Sequence, residues 1–208
     1  MKYLDIDNWN RKSQYEFFKA YEEPYFGVCI PIDVTIAYKK SKLKGNSFFL
    51  SYLHATIQAA NQIEEFKYRI SEDRVVVYDV INASATISRP DNTFGFSYID
   101  FDHDFEIFRA NAQKEIERVN GSYELFSSRS TDDVLYLSSL PWLDFMFTSH
   151  ARAFKRKGSA PMISYGKMTE KEGKRSMPVS IHVHHALMDG YHVGLFVDLF
   201  QNILNDES

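Results

Sequence analysis

The clearest apolar stripe in the chain consists of Phe48, Phe49, Tyr52, Leu53, Thr56, Ile57, Ala60 and Ile63. That i, i+1, i+4, i+5 recurrence places them on one face of a helix, and Ser47 stands where an N-cap is needed. Helical spacing also predicts a helix over residues 9–21, another over 34–42, and one over 104–119 that ends at Asn120-Gly121. A last helix follows from Val193, Phe196, Leu199, Phe200, Ile203 and Leu204. β-Branched and aromatic runs predict strands over residues 25–32, 74–80, 83–88, 93–99, 134–138, 162–167 and 177–184, with Arg89-Pro90-Asp91-Asn92 as a turn. The charged stretch 168–176 contains Gly173 and predicts a hairpin between the last two strands. Locally paired strands with helices between them imply a mixed α/β fold, a two-layer α/β sandwich whose helices cover one sheet face. No internal repeat or linker divides the sequence, so residues 1–208 are expected to form one domain.

Composition narrows the partners. Aromatic residues reach 15%, with 17 Phe and 13 Tyr, enough that some ring surface is expected to line a pocket or a subunit contact as well as the core. A formal charge of -4 provides no basic field for nucleic acid. No run approaches the roughly 18 apolar residues of a membrane span, and Met1-Lys2-Tyr3-Leu4-Asp5-Ile6-Asp7 is too acidic for a secretion signal, so a cytoplasmic protein is expected. Cys29 is the single cysteine; it forms no disulfide within the chain and reads as a buried structural thiol.

Candidate chemistry concentrates in His182-Val183-His184-His185-Ala186-Leu187-Met188-Asp189-Gly190, at a junction between strand and helix. His182 and His184 would share one strand face, but no thiolate pair or His-Glu-x-x-His helix completes a metal site, and structural roles are the stronger reading. Nor does a Gly-x-Ser-x-Gly elbow present a nucleophile. His185 remains as a general base, since a free imidazole titrates near about 6.5 and accepts protons at neutral pH. Asp189 either pairs with it or locks the loop through an arginine, with Gly190 allowing a tight backbone.

The stretch His184-His185-Ala186-Leu187-Met188-Asp189-Gly190-Tyr191-His192 resembles the active-site signature of the chloramphenicol acetyltransferases. Trp9-Asn10-Arg11-Lys12-Ser13-Gln14-Tyr15-Glu16 is similar to that family's N-terminal signature, Ser138-Ser139-Leu140-Pro141-Trp142 to its central one, and Tyr165-Gly166-Lys167 to the strand before the active-site hairpin. The resemblance covers nearly the whole chain. It implies a mostly antiparallel sheet covered by helices and an O-acetyltransferase using acetyl-CoA as co-substrate, with no permanently bound cofactor and no metal. It makes His185 the base, Ser138 the donor to the oxyanion, and Asp189 a structural partner of Arg11. Ser164, in place of the usual threonine, would act through water, and Lys167 would lie near the CoA phosphate. Homotrimers with active sites between subunits are implied as well.

The resemblance places Phe17, Phe18, Thr86, Phe126 and one of Phe94 or Phe96 in the acceptor pocket. Three pocket positions depart from the family: Pro24 stands where a cysteine is usual, Thr148 where the family carries Phe, and His150 where it carries Leu. Exchanging a ring for hydroxyl and imidazole makes that wall more polar. Two other readings therefore stand beside acetylation of chloramphenicol or a related hydroxyl compound. One keeps the chemistry and takes a more polar metabolite or xenobiotic; the other is a non-catalytic trimeric ligand-binding or scaffold module.

Overall fold

In a computed structural model that describes residues 1–151 and 158–206, a short strand β1 (Lys2–Tyr3) precedes helix α1 (Lys12–Phe18), strand β2 (Tyr25–Asp33) and helices α2 (Thr35–Leu43) and α3 (Phe48–Asn61). A 3₁₀ turn (Glu64–Lys67) leads into β3 (Tyr68–Ser71), β4 (Arg74–Val77), β5 (Asn82–Ser88), β6 (Phe94–Phe96) and helix α4 (Phe105–Asn120). Then come β7 (Val134–Ser139), β8 (Met162–Tyr165), β9 (Thr169–Lys171), β10 (Lys174–His184) and α5 (Gly190–Asn205). The main sheet has the order β2-β10-β8-β7-β5-β6, with β9 paired to β10; β1, β4 and β3 form a smaller sheet. Pairing is mostly antiparallel, but β5, β7 and β8 run parallel in the middle.

Alternation gives the main sheet two unlike faces. Val179, Ile181 and Val183 of β10, Ile163 of β8, Leu135 and Leu137 of β7 and Ala83 and Ala85 of β5 are all buried in the apolar core. Nine residues of α3, together with Val193, Phe196, Phe200 and Leu204 of α5, cover that face. The opposite face carries Cys29, Ser180, Ser164 and Ser138 as lateral neighbours on four adjacent strands. Thr86 continues the row on β5, one residue beyond the Ala85–Leu137 pair, and is itself opposite Phe96. Helices thus cover one face, and small polar groups occupy the other.

Several expected boundaries shift, each for a local reason. The first helix spans only Lys12–Phe18: Arg11, at its N-cap, has no acceptor to offer the first-turn amides and turns its guanidinium to Asp189. The strand expected over residues 93–99 breaks after Phe96, where the Ser97 hydroxyl accepts from the Ala85 amide, and it returns to the sheet at Ile99, bridged to Ala83. The stretch 168–176 is mostly strand: Glu172 and Gly173, with φ of 53° and 77°, make a two-residue turn of the mirror-image type, and pairing resumes at Lys174. Strand β1 went unforeseen because two residues are too short for a periodicity to register, and β3, Tyr68–Ser71, follows directly on the 3₁₀ turn with no turn residue to mark its start. No helix among the described residues is long and apolar enough to cross a membrane.

Candidate active site

β10 delivers the histidine run to the rim of the sheet. Its last paired residue, His184, lies opposite Tyr25, and the chain continues along β2 as the His185 amide donates to the Pro24 carbonyl at 2.8 Å. The His185 ring is held between two phenyl groups: Phe18 stacks on it at 3.9 Å and 12°, and Phe26 meets it at 4.6 Å and 49°. Phe17 and Tyr21 extend this group outward and are exposed. Of the two ring nitrogens, Nδ1 is buried with no hydrogen-bond partner among the described residues.

Asp189 turns away from the imidazole. It caps α5 by accepting from the Tyr191 amide at 3.0 Å, and its other oxygen takes a short bond from Nη1 of Arg11, 178 residues away in the chain. Burial pushes the Asp189 carboxyl up, but the Arg11 hydrogen bond and charge, with His192 and the Tyr191 amide, outweigh it and hold the group below its ordinary 3.8. The glycine at 190 needs no special backbone: its φ is not positive and an added Cβ would meet nothing within 4 Å, which corrects the expected tight turn.

This pair predicts a pH-dependent stability. The folded carboxyl releases its proton more readily than the unfolded one, so its stabilisation is complete above the unfolded pKa and is lost as pH falls through the lowered value. The Asp189 side chain is 35% exposed. Asp189→Asn is therefore expected to cost about 2 kcal/mol at pH 7, less than a fully buried pair would. Urea unfolding checks this: the gap between Asp189→Asn and the unaltered protein should narrow at pH 3, and an equal gap at both pH values would refute the assignment.

The remaining sequence-predicted residues divide into separate groups. Arg11, Phe17, Phe18, Pro24, His185, Asp189 and Gly190 gather at the β2/β10 end. Ser138, half-buried on β7, lies with Ser164 and Thr86 on the polar face, and Phe94 and Phe96 project from β6 on the same side. Phe126 is exposed next to them, following Leu125, whose carbonyl accepts from the Phe96 amide. His185 stands five residues beyond the Ser138–Ser164–Ser180 row and two strands across from β7, roughly 19 Å from Ser138 at about 3.3 Å per residue and 4.8 Å per strand. One chain does not bring the two together.

Thr148 and His150 lie against β10. The Thr148 hydroxyl donates to Ser180 Oγ at 3.0 Å, Ser180 Oγ is 3.0 Å from His182 Nε2, and the His150 ring meets the His182 ring edge-on at 4.8 Å. Gly27 lies beneath that imidazole, and a Cβ there would come within 2.6 Å of the ring. Ser164 is buried, whereas Lys167 is exposed and its amide donates to the Leu143 carbonyl at 2.7 Å. Gly166 beside it could not bear a Cβ without coming within 2.5 Å of Pro178. Cys29 is only half-buried, and burial pushes its thiol up.

Sequence reasoning missed Phe26, whose signal was its position on β2 opposite Val183, beside His185. It also missed the cap made by His192, which follows Asp189 by three residues as a capping-box partner does. No three His, Cys, Asp or Glu residues among those described stand together to hold a metal.

A sequence model of the chloramphenicol acetyltransferase family matches residues 1–201. The chain is 27% identical over 206 residues to chloramphenicol acetyltransferase 3 of Escherichia coli, covering 98% of this chain and 97% of that protein. It is 27% identical over 204 residues to a chloramphenicol acetyltransferase of Staphylococcus aureus, covering 97% and 94%. A solved chloramphenicol acetyltransferase superposes with a TM-score of 0.89 at 30% identity, over 98% of this chain and 99% of that one. A probable dihydrolipoamide acetyltransferase from Listeria monocytogenes shares the fold at 13% identity, with a TM-score of 0.70 over 95% of this chain and 91% of that one. With the match spanning all but the last residues, the chain belongs to the chloramphenicol acetyltransferase family.

Proposed function

We propose that the protein transfers the acetyl group of acetyl-CoA to a hydroxyl of a small acceptor, chloramphenicol or a related compound, working as a cytoplasmic homotrimer of single-domain subunits. The observation that carries this reading is the His185 imidazole, clamped between Phe18 and Phe26 on a loop anchored by Arg11 and Asp189. Nε2 takes the proton of the acceptor hydroxyl as its oxygen attacks the thioester carbonyl, giving a tetrahedral oxyanion. The Ser138 hydroxyl donates to that oxyanion, a contact worth about 3 kcal/mol in a dry site. When the carbon–sulfur bond breaks, the departing CoA thiolate takes that proton from the imidazolium and leaves as the thiol. Ser164, next to Ser138 across the strands, holds a water against the same centre, and Lys167 at the exposed end of β8 faces the CoA phosphates.

The separation of His185 from Ser138 supports a shared site, with the base supplied by one subunit and the oxyanion donor and aromatic pocket of Thr86, Phe94, Phe96 and Phe126 by its neighbour. Release of CoA thiol from acetyl-CoA on addition of chloramphenicol tests the reaction. No acetyl-CoA binding by calorimetry would sink it in favour of a non-catalytic module.

A more polar acceptor is favoured by a specific observation, the Thr148–Ser180–His182 chain with His150 at its edge. Thr148→Phe together with His150→Leu is expected to raise kcat/KM for chloramphenicol roughly tenfold by returning apolar surface to the wall. If thiol-release kinetics register no gain, wall polarity does not limit the use of that acceptor.

A further inference from the structure

We infer that Glu65, on the 3₁₀ turn after α3, is a positioning residue for the loop that carries His185, acting through the tautomer of His192. The backbone amide of Asp189 donates to His192 Nδ1 at 3.1 Å. An amide can only donate, so Nδ1 is unprotonated and the ring proton sits on Nε2. Nε2 lies 3.5 Å from Glu65 Oε1, a carboxylate placed to receive it. The alternative tautomer has a ready partner as well, because Asp189 Oδ1 is 3.0 Å from Nδ1. A proton on Nδ1 would orphan the Asp189 amide and draw on the oxygen that accepts from the Tyr191 amide. Glu65 decides between the two arrangements by making Nε2–H the favoured one.

The surroundings fit such a role. The His192 side chain is 9% exposed and that of Glu65 24%, so neither contact is a solvated surface pair. The His192 imidazole beside it holds the Glu65 carboxyl below its ordinary range against the opposing effect of burial, and the Arg11 charge adds to it. Nε and Nη2 of Arg11 are buried without hydrogen-bond partners among the described residues, so one guanidinium serves two carboxylates, Asp189 by direct contact and Glu65 through its field. Arg11, Asp189, His192 and Glu65 therefore form one connected support beneath the His185–Asp189 loop. No substrate atom touches Glu65 or His192 in this scheme. Their effect on rate runs through the geometry of His185, and in that respect the inference rests on the proposed acetyl transfer.

The test combines spectroscopy with kinetics. Long-range ¹⁵N–¹H correlation on the unliganded protein is expected to report the Nε2–H tautomer at His192, with Nδ1–H appearing in Glu65→Ala and largely suppressed in Glu65→Gln, whose amide oxygen still accepts. Glu65→Ala should lower kcat for acetyl transfer roughly fivefold, the scale of a lost helix cap, with KM for acetyl-CoA little changed. In His192→Asn, whose side-chain oxygen can accept from the Asp189 amide without a tautomer to choose, adding Glu65→Ala should have no further effect. An Nε2–H tautomer that persists in Glu65→Ala, or a fivefold loss that persists in the His192→Asn background, would overturn the inference. The tautomer is read without turnover, so it stands or falls separately from the assignment of the reaction.

Discussion

Alanine in place of His185 is expected to lower kcat for acetyl transfer by roughly 10²–10⁴-fold, the range a positioned general base supplies. The expectation rests on where the ring sits and on what the substitution leaves behind. Phe18 and Phe26 pack on the imidazole, and the residue's other tie is a backbone bond, from its amide to Pro24. Alanine keeps that backbone bond, the Arg11–Asp189 pair and the His192 cap, so the loop keeps its anchors. Acetyl-CoA binding by calorimetry should therefore survive while turnover disappears. His185→Gln sharpens the result, because glutamine fills the space and can hydrogen-bond but cannot carry a proton at neutral pH. Steady-state thiol release with either variant decides the matter: a rate within threefold of the unaltered protein would remove His185 from the reaction.

The same result separates two kinds of defect that activity alone confuses. Arg11 or Asp189 substitutions are expected to depress turnover along with stability, since they loosen the loop, whereas His185→Ala should leave the urea midpoint close to that of the unaltered protein. Each Asp189 oxygen is oriented by a bond of its own, from Arg11 Nη1 and from the Tyr191 amide, while the buried His185 Nδ1 has no hydrogen-bond partner among the described residues, which argues against their pairing. Of the two roles the sequence left open for this carboxylate, the arginine lock agrees with the geometry.

How much of this could be read from the chain follows from which patterns are local. The α3 stripe and the Ser47 cap, whose hydroxyl accepts from the Leu50 amide, are written within seventeen residues, and the helix appears with its cap, ending at Asn61. The alternation in β10 is equally local, and it sends Val179, Ile181 and Val183 to the core and Ser180, His182 and His184 to the other face. Parallel pairing of β5, β7 and β8 was not legible, because it joins segments 52 and 26 residues apart whose runs carry no mark of direction. At the site, residue types were legible and neighbours were not. The family resemblance implied one pocket of Phe17, Phe18, Thr86, Phe126 and one of Phe94 or Phe96, yet within a chain the first two accompany His185 and the others accompany Ser138. Residues implied for one site but separated within a chain are what an assembly built from repeated copies produces.

That separation leads to the second large effect, complementation between two inactive variants. If His185 of one subunit works with Ser138 of its neighbour, His185→Ala and Ser138→Ala should each lose most activity alone, Ser138→Ala by roughly 10²–10³-fold through loss of one oxyanion donor. Refolded or co-expressed together in equal amounts, they should regain activity. With random assembly a site receives its histidine from the Ser138→Ala chain half the time and its serine from the His185→Ala chain half the time, so about one quarter of sites are intact. Were both groups drawn from a single chain, every site in the mixture would carry one defect and nothing would return. A recovered kcat near a quarter of the unaltered value, with unaltered KM for both substrates, is the expected outcome. Recovery requires subunit exchange, so mixing the folded variants without unfolding should restore activity slowly or not at all, and a mixture that stays inactive after confirmed co-assembly would place the whole site within one chain. The roughly 19 Å between the two residues makes that last outcome hard to reach, because β8 and β10 would have to part to bring Ser138 to His185.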